Sequence, residues 1–402
     1  MERAYEKLLR YAAIPTASAD GSPTCPSSAD ELVLAKQLEK ELIEMGASNV
    51  LCDENGYVYA EIPATREGAA AVGFIAHMDT VCCVPWKDIK TKLIANYDGK
   101  DITLDNGDVV AVADHPELAE HKGKTMLVTD GNTLLGADDK AGVAEIMCMA
   151  QKLLAPDAPA HGKIMVGFTP DEEIGRGADK FDVKRFGADY AYTVDGGKLG
   201  GVDYETFNAA RGIIEAKGVS THPGGAKDVM INAAIAAMEF ASLLPASERP
   251  ENTADREGFY HLCEMKGECE YAMLDYIIRD HDRARFEARK AYFAQAAELV
   301  NARYGKKVLD CRVTDQYYNM AEVFNDKPFI LERAKKAFRK HNVEPFSTAV
   351  RGGTDGSRLS YMGLPCPNLS CCGMGAHGRH EMVPVEDMDE MVDVLVTIAV
   401  EE

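Results

Sequence analysis

No run of this chain reaches the ~18 apolar residues of a membrane span, so a helical membrane protein is not expected. The amino terminus, Met1-Glu2-Arg3-Ala4-Tyr5-Glu6-Lys7, has no apolar signal core, and a cytoplasmic protein is expected. Eleven cysteines, an odd number, contain no Cys-x-x-Cys pair. That argues against a disulfide framework or a cysteine-built zinc site, and for reduced, mostly buried thiols. Positive charge is scarce: 44 Lys and Arg against 65 Asp and Glu leave a net −21. Such a surface repels nucleic-acid phosphates. It suits a substrate with a free ammonium group, although a solvated acidic face is the plainer use of it. Internal repeats and low-complexity segments are absent too.

What is present is ordinary globular sequence, 46% hydrophobic and 27% charged over 402 residues. At ~150 residues per domain it should form two or three domains. Ser28-Ala29-Asp30-Glu31 reads as a capping box, followed by Leu34, Leu38, Leu42 and Met45 at helical spacing until Gly46. Strands are expected at residues 57–62, 70–76, 163–168 and 190–194, with a helix at 140–154. This alternation predicts an α/β domain whose mixed, mostly parallel sheet is sandwiched by helices. The pattern changes near Thr206. A strand at 213–219, helices at 228–243 and 282–303, a polar connection at 247–257 and a strand at 307–313 suggest a separate α+β unit. Helices at 327–340 and 385–400 then bracket 351–380, which returns to the earlier Gly-rich, polar style. One domain (1–207 and 317–402) interrupted by an insertion (208–316) is expected.

Five segments carry the chemistry: His77-Met78-Asp79, Gly136-Ala137-Asp138-Asp139-Lys140, Asp171-Glu172-Glu173, Val194-Asp195-Gly196-Gly197 and Gly375-Ala376-His377-Gly378. Most follow apolar runs where central strands would end, the place at which ligands collect in such sheets. Imidazoles, carboxylates and one shared carboxylate are what two divalent ions ~3.5–4 Å apart require. His77 and Asp79, two apart on a strand, point the same way, so one can hold a metal while the other orients the imidazole. Asp138 opens a helix after a Gly-containing turn and can offer one oxygen to each ion. Of Glu172 and Glu173, one can ligate metal while the other takes a proton from the attacking water. Asp195 and His377 complete a set of five ligands for two ions.

Other patterns carry nothing. Gly373-x-Gly375-x-x-Gly378 has the spacing of a dinucleotide fingerprint, but His377, Arg379 and His380 occupy what should be an apolar helix start. Residues 136–142 lack P-loop spacing, and His380-Glu381 has no second histidine four residues on. Cys82-Cys83 and Cys371-Cys372 are expected to pack rather than bind metal.

Residues 134–145 (LLGADDKAGVAE), 168–175 (FTPDEEIG), 192–197 (YTVDGG), 276–280 (YIIRD), 317–320 (YYNM), 351–356 (RGGTDG) and 362–369 (MGLPCPNL) resemble the peptidase T family from first helix to last. These are tripeptide aminopeptidases among the two-zinc exopeptidases related to succinyl-diaminopimelate desuccinylase and acetylornithine deacetylase. The resemblance implies a phosphorylase/hydrolase-like zinc exopeptidase domain with an inserted α+β lid and dimerisation domain. It implies two Zn2+ per subunit, Co2+ or Mn2+ also fitting such ligands. His77 and Asp195 would complete one site, Glu173 and His377 the other, and Asp138 would bridge them. Asp79 would orient His77, Glu172 would be the general base, and a cis peptide would follow Asp138. His222 would help stabilise the oxyanion, from its own or a partner subunit. Arg279, with Arg351 and Thr354, would face the carboxylate of a short peptide. The chain departs from the family at Thr80-Val81-Cys82-Cys83 and Met374-Gly375-Ala376, both beside the expected metals, which bears on the preferred N-terminal residue.

The expectation is therefore a cytoplasmic, homodimeric dizinc aminopeptidase acting on tripeptides. An N-acyl-amino-acid deacylase with the same metals is the nearest alternative, and a non-catalytic binding protein the remotest.

Overall fold

Strands Val72–His77 and Ile164–Thr169 are buried at every position, as strands covered by helices on both faces must be. The computed structural model describes residues 2–401. It divides into two units, the first running to Tyr204 and adding Val323–Thr348 and the residues from Thr354 onward. That unit holds a seven-stranded sheet in the order Ser48–Cys52, Val58–Ile62, Ile164–Thr169, Val72–His77, Tyr190–Gly196, Asn368–Ser370, Val202–Asp203. The four strands from Ile164–Thr169 to Asn368–Ser370 are parallel, and the pairings outside them are antiparallel. The expected mixed α/β sandwich is what forms, with parallel strands at its centre.

Helix Ala137–Leu153 packs on the central strands and against helices Ala4–Ala12 and Val385–Val400. Its approach is close because residue 142 is glycine: a Cβ there would meet the Val194 carbonyl oxygen at 1.9 Å. On the opposite face the alternate side chains Ile75, Met165 and Ala191 join a core with Phe181, Phe186, Tyr57, Tyr59 and Leu359. Gly73 leaves the space that Phe186 fills.

Some boundaries move for local reasons. The strand expected at 70–76 is Val72–His77, so His77 ends the strand itself. The helix after residue 28 is capped at Asp30, and only half of the expected box forms: Ser28 N–H donates to Glu31 Oε1 at 3.1 Å. Glu31 is fully buried and also accepts from Asp171 N–H at 3.1 Å.

The second unit comprises Glu205–Glu322 with Ala349–Gly353. An antiparallel sheet in the order Phe259–Gly267, Tyr271–Asp280, Asn208–Lys217, Leu309–Tyr317 carries helices Ala233–Leu243 and Arg283–Tyr304. Phe240, Tyr260, Tyr276 and Phe293 form the aromatic centre of its core. The first helix starts later than expected because Asn232 caps it, accepting from Ile235 N–H at 3.2 Å, while Ile231 bridges back to Val219. Asp282 caps the second helix through Arg285 N–H at 2.8 Å. No helix among the described residues is long and apolar enough to cross a membrane.

Candidate metal centre

The carboxyl ends of three adjacent parallel strands deliver His77, the Asp171–Glu173 turn and Asp195 to one place in the first unit. The turn opening helix Ala137–Leu153 adds Asp138, and the loop before strand Met382–Pro384 adds His377. Two triads result, His77/Asp138/Asp195 and Asp138/Glu173/His377, the potential ligand atoms of each lying within 4.8 Å of one another. Asp138 is common to both: Oδ1 lies 3.0 Å from His77 Nε2 and Oδ2 lies 3.1 Å from His377 Nε2. Asp195 Oδ1 is 3.5 Å from His77 Nε2, and Glu173 Oε2 is 2.9 Å from His377 Nε2. The expected cis peptide lies between Asp138 and Asp139.

Carboxylates that are not themselves in the triads hold these side chains in place. His77 Nδ1 lies 3.1 Å from the Asp79 carbonyl oxygen and 3.3 Å from Asp79 Oδ1. An N–H at Nδ1 leaves the Nε2 lone pair for a cation. The Asp79 carboxylate also accepts from Glu172 N–H at 2.9 Å and Glu173 N–H at 3.1 Å, so it fixes that turn as well as the imidazole. Asp139, fully buried, accepts from His77 N–H at 3.1 Å and from Gly142 N–H at 3.2 Å. Asp171 has φ +61° and accepts from Ser27 N–H at 2.9 and 3.0 Å. Asn368 Oδ1 accepts from Asp195 N–H at 3.2 Å.

Electrostatics favour cations here. Burial pushes the Glu172 carboxyl well above its usual range and lifts Asp195 to about 7. Burial alone would lower the His77 pKa, but Asp195, Asp138 and Asp79 outweigh it and hold it well above normal. Hydrogen bonds to Asp138 and Glu173 raise His377 to about 11. Glu173 Oε1 is buried without a hydrogen-bond partner, a costly state for a carboxylate oxygen unless something positive meets it. The donor set and this orphaned oxygen fit a pair of divalent ions.

The remaining expected site residues have other surroundings. His222 is exposed in the second unit, in the connection after strand Asn208–Lys217, and its Nδ1 accepts from Gly224 N–H at 3.1 Å. Arg279, also there, donates from Nη1 to the Ala210 and Ile278 carbonyls at 3.1 Å each and lies over Tyr317. Arg351 is braced between Phe207 and Phe259 and spends three donor contacts, at 2.8–2.9 Å, on residues 253, 255 and 257. Thr354, in the first unit, is the N-cap of helix Asp355–Tyr361. Cys371 and Cys372 are buried as expected, but Cys82 and Cys83 are exposed, because the chain has left the strand at His77; Cys83 Sγ lies 3.9 Å from the His377 carbonyl oxygen.

Imidazoles and carboxylates gathered at the carboxyl ends of a parallel sheet define a metal-dependent hydrolase of the α/β class. A family model described as Peptidase family M20/M25/M40 matches residues 107–401, and the chain belongs to that family. It is 47% identical over 401 residues to a peptidase T of Clostridium acetobutylicum, covering 99% of this chain and 98% of that protein. Two solved structures share the fold. The aminopeptidase PepT of Bacillus cereus has TM-score 0.77 and 24% identity, and a Staphylococcus aureus tripeptidase has TM-score 0.77 and 19% identity. Each covers 99% of this chain and 97% of its own. The chain is a peptidase of a metal-dependent family, and the deacylase alternative is not favoured.

Proposed function

We propose that this chain is a cytoplasmic dizinc aminopeptidase that removes the first residue from tripeptides. The observation that carries the reading is Asp138, whose two oxygens each face a different imidazole, at 3.0 and 3.1 Å. In this reading His77 and Asp195 would hold one ion, Glu173 and His377 the other, and Asp138 would serve both. The ions would supply Lewis-acid polarisation of the scissile carbonyl and a more acidic water.

Glu172 takes the proton of the attacking water and returns it to the leaving amine. Its raised pKa suits both halves of that task. Asp79 holds Glu172 and Glu173 by their amides, and so fixes base and ligand relative to each other. His222, from its own or a partner subunit, would help stabilise the developing oxyanion. Its Nδ1 already accepts a backbone N–H, which leaves Nε2 as the donor of the neutral ring. Arg279, with Arg351 and Thr354, would face the carboxylate end of the peptide. The second unit acts as lid and as dimerisation surface of a homodimer.

The test is a substrate panel with the zinc-loaded protein: free tripeptides, dipeptides, longer peptides, and acetylated or succinylated amino acids. Tripeptides should be turned over fastest, with release of the N-terminal residue. Preference for the acylated amino acids would overturn the reading.

A further inference from the structure

Glu381 lies outside both triads, yet it joins the two loops on which they depend. It is 2% exposed, immediately before strand Met382–Pro384. Its Oε2 accepts from Leu135 N–H and Gly136 N–H, each at 2.7 Å, and its Oε1 accepts from Asp138 N–H at 2.9 Å. These three amides form the turn that presents Asp138. On its own side Glu381 closes the loop that carries His377: Met374 and Met382 exchange backbone hydrogen bonds of 2.9 Å. Gly375 turns at φ +68°, and a Cβ there would meet the His380 carbonyl oxygen at 2.6 Å. One buried carboxylate thus ties the backbone of Asp138 to the base of the His377 loop.

We propose that Glu381 is a positioning residue that sets the separation of Asp138 and His377, and with it the affinity of the metal centre. The inference rests on the dinuclear reading above. Its physical basis is that a buried carboxylate with three amide donors has no low-energy alternative arrangement. An isosteric amide cannot replace it: Glu381→Gln must turn its NH2 group toward at least one backbone N–H, donor against donor. The turn then opens where ligand spacing must hold to a few tenths of an ångström. Outer hydrogen-bond partners of metal ligands typically control affinity by about 10–100-fold.

The experiment titrates metal-free parent and Glu381→Gln proteins with Co2+, reading visible absorption and heat, with circular dichroism confirming that both are folded. The parent should take up two equivalents. Glu381→Gln should lose tenfold or more in at least one constant and show an altered Co2+ spectrum. Equal constants and spectra for the two folded proteins would overturn the inference while leaving the two-metal reading intact. A parent that takes up no Co2+ would overturn that reading, and this inference with it. A loss confined to the melting temperature of the metal-free protein, with Co2+ uptake unchanged, would mark Glu381 as merely structural and also overturn the proposal.

Discussion

Replacing Gly142 by alanine sets two effects against each other, and the structure decides between them. In a helix interior alanine is favoured over glycine by about 1 kcal/mol. Here the new Cβ would stand 1.9 Å from the Val194 carbonyl oxygen and 2.5 Å from Asp139 Oδ1, where real contacts do not fall below 3.0 Å. The nearer obstacle is backbone and cannot rotate away, so helix Ala137–Leu153 must withdraw from strand Tyr190–Gly196 by about 1 Å. Overpacking of this kind costs about 1–3 kcal/mol, and an unyielding neighbour points to the upper end. The expected net result is a loss of about 2 kcal/mol in urea denaturation. Activity should fall further than stability. Asp139 accepts from both Gly142 N–H and His77 N–H, so the displacement reaches an imidazole of the centre and the neighbouring Asp195. A misplacement of 1 Å costs about 100-fold in rate. A Gly142→Ala protein as stable as the parent or more so, with full activity, would refute the reasoning.

Glu172→Ala should retain both metals by elemental analysis and lose about 100- to 10,000-fold in kcat; near-native turnover would exclude it as the base. Asp138→Asn should bring metal content below two per chain, and two tightly held ions would contradict the shared-carboxylate assignment. His281, in the second unit, gives a pH prediction: it is 6% exposed, packs against Phe207, and has a buried Nε2 without a partner. Burial lowers its pKa, so the unfolded chain binds the proton more readily. The contribution of neutral His281 is present above about pH 6.5 and is lost as pH falls below it. Urea midpoints at pH 7.5 and 5.5 should show a smaller acid loss in His281→Gln than in the parent; an equal loss would remove His281 as its source.

Residues at strand ends were legible because alternation and apolar runs mark where a strand stops. That logic brought His77, Asp195 and the Glu172-Glu173 pair into view, and the Gly-containing turn did the same for Asp138. His377 has no such local mark and was read only from its company. Asp139, Asp171 and Glu381 were given no role, and Glu31 only that of a cap, since each accepts at least one backbone amide from a remote segment. Glu381 and Asp138 are 243 positions apart, and no periodicity encodes such a bond. In the second unit, strands Phe259–Gly267 and Tyr271–Asp280 escaped notice. The first is an edge strand exposed over most of its length, so a run such as Glu264-Met265-Lys266 has no buried face to betray it. The exposure of Cys82 and Cys83 was missed for a related reason: apolar composition continues past the point where the strand has ended.

The central claim is that Asp138 joins two ions in one cage. Anomalous diffraction at the zinc edge, from crystals of the zinc-loaded protein, tests it most directly. The account predicts two peaks about 3.5–4 Å apart, each about 2.0–2.2 Å from a different oxygen of Asp138. A single peak, or a pair that leaves Asp138 uncoordinated, would contradict it.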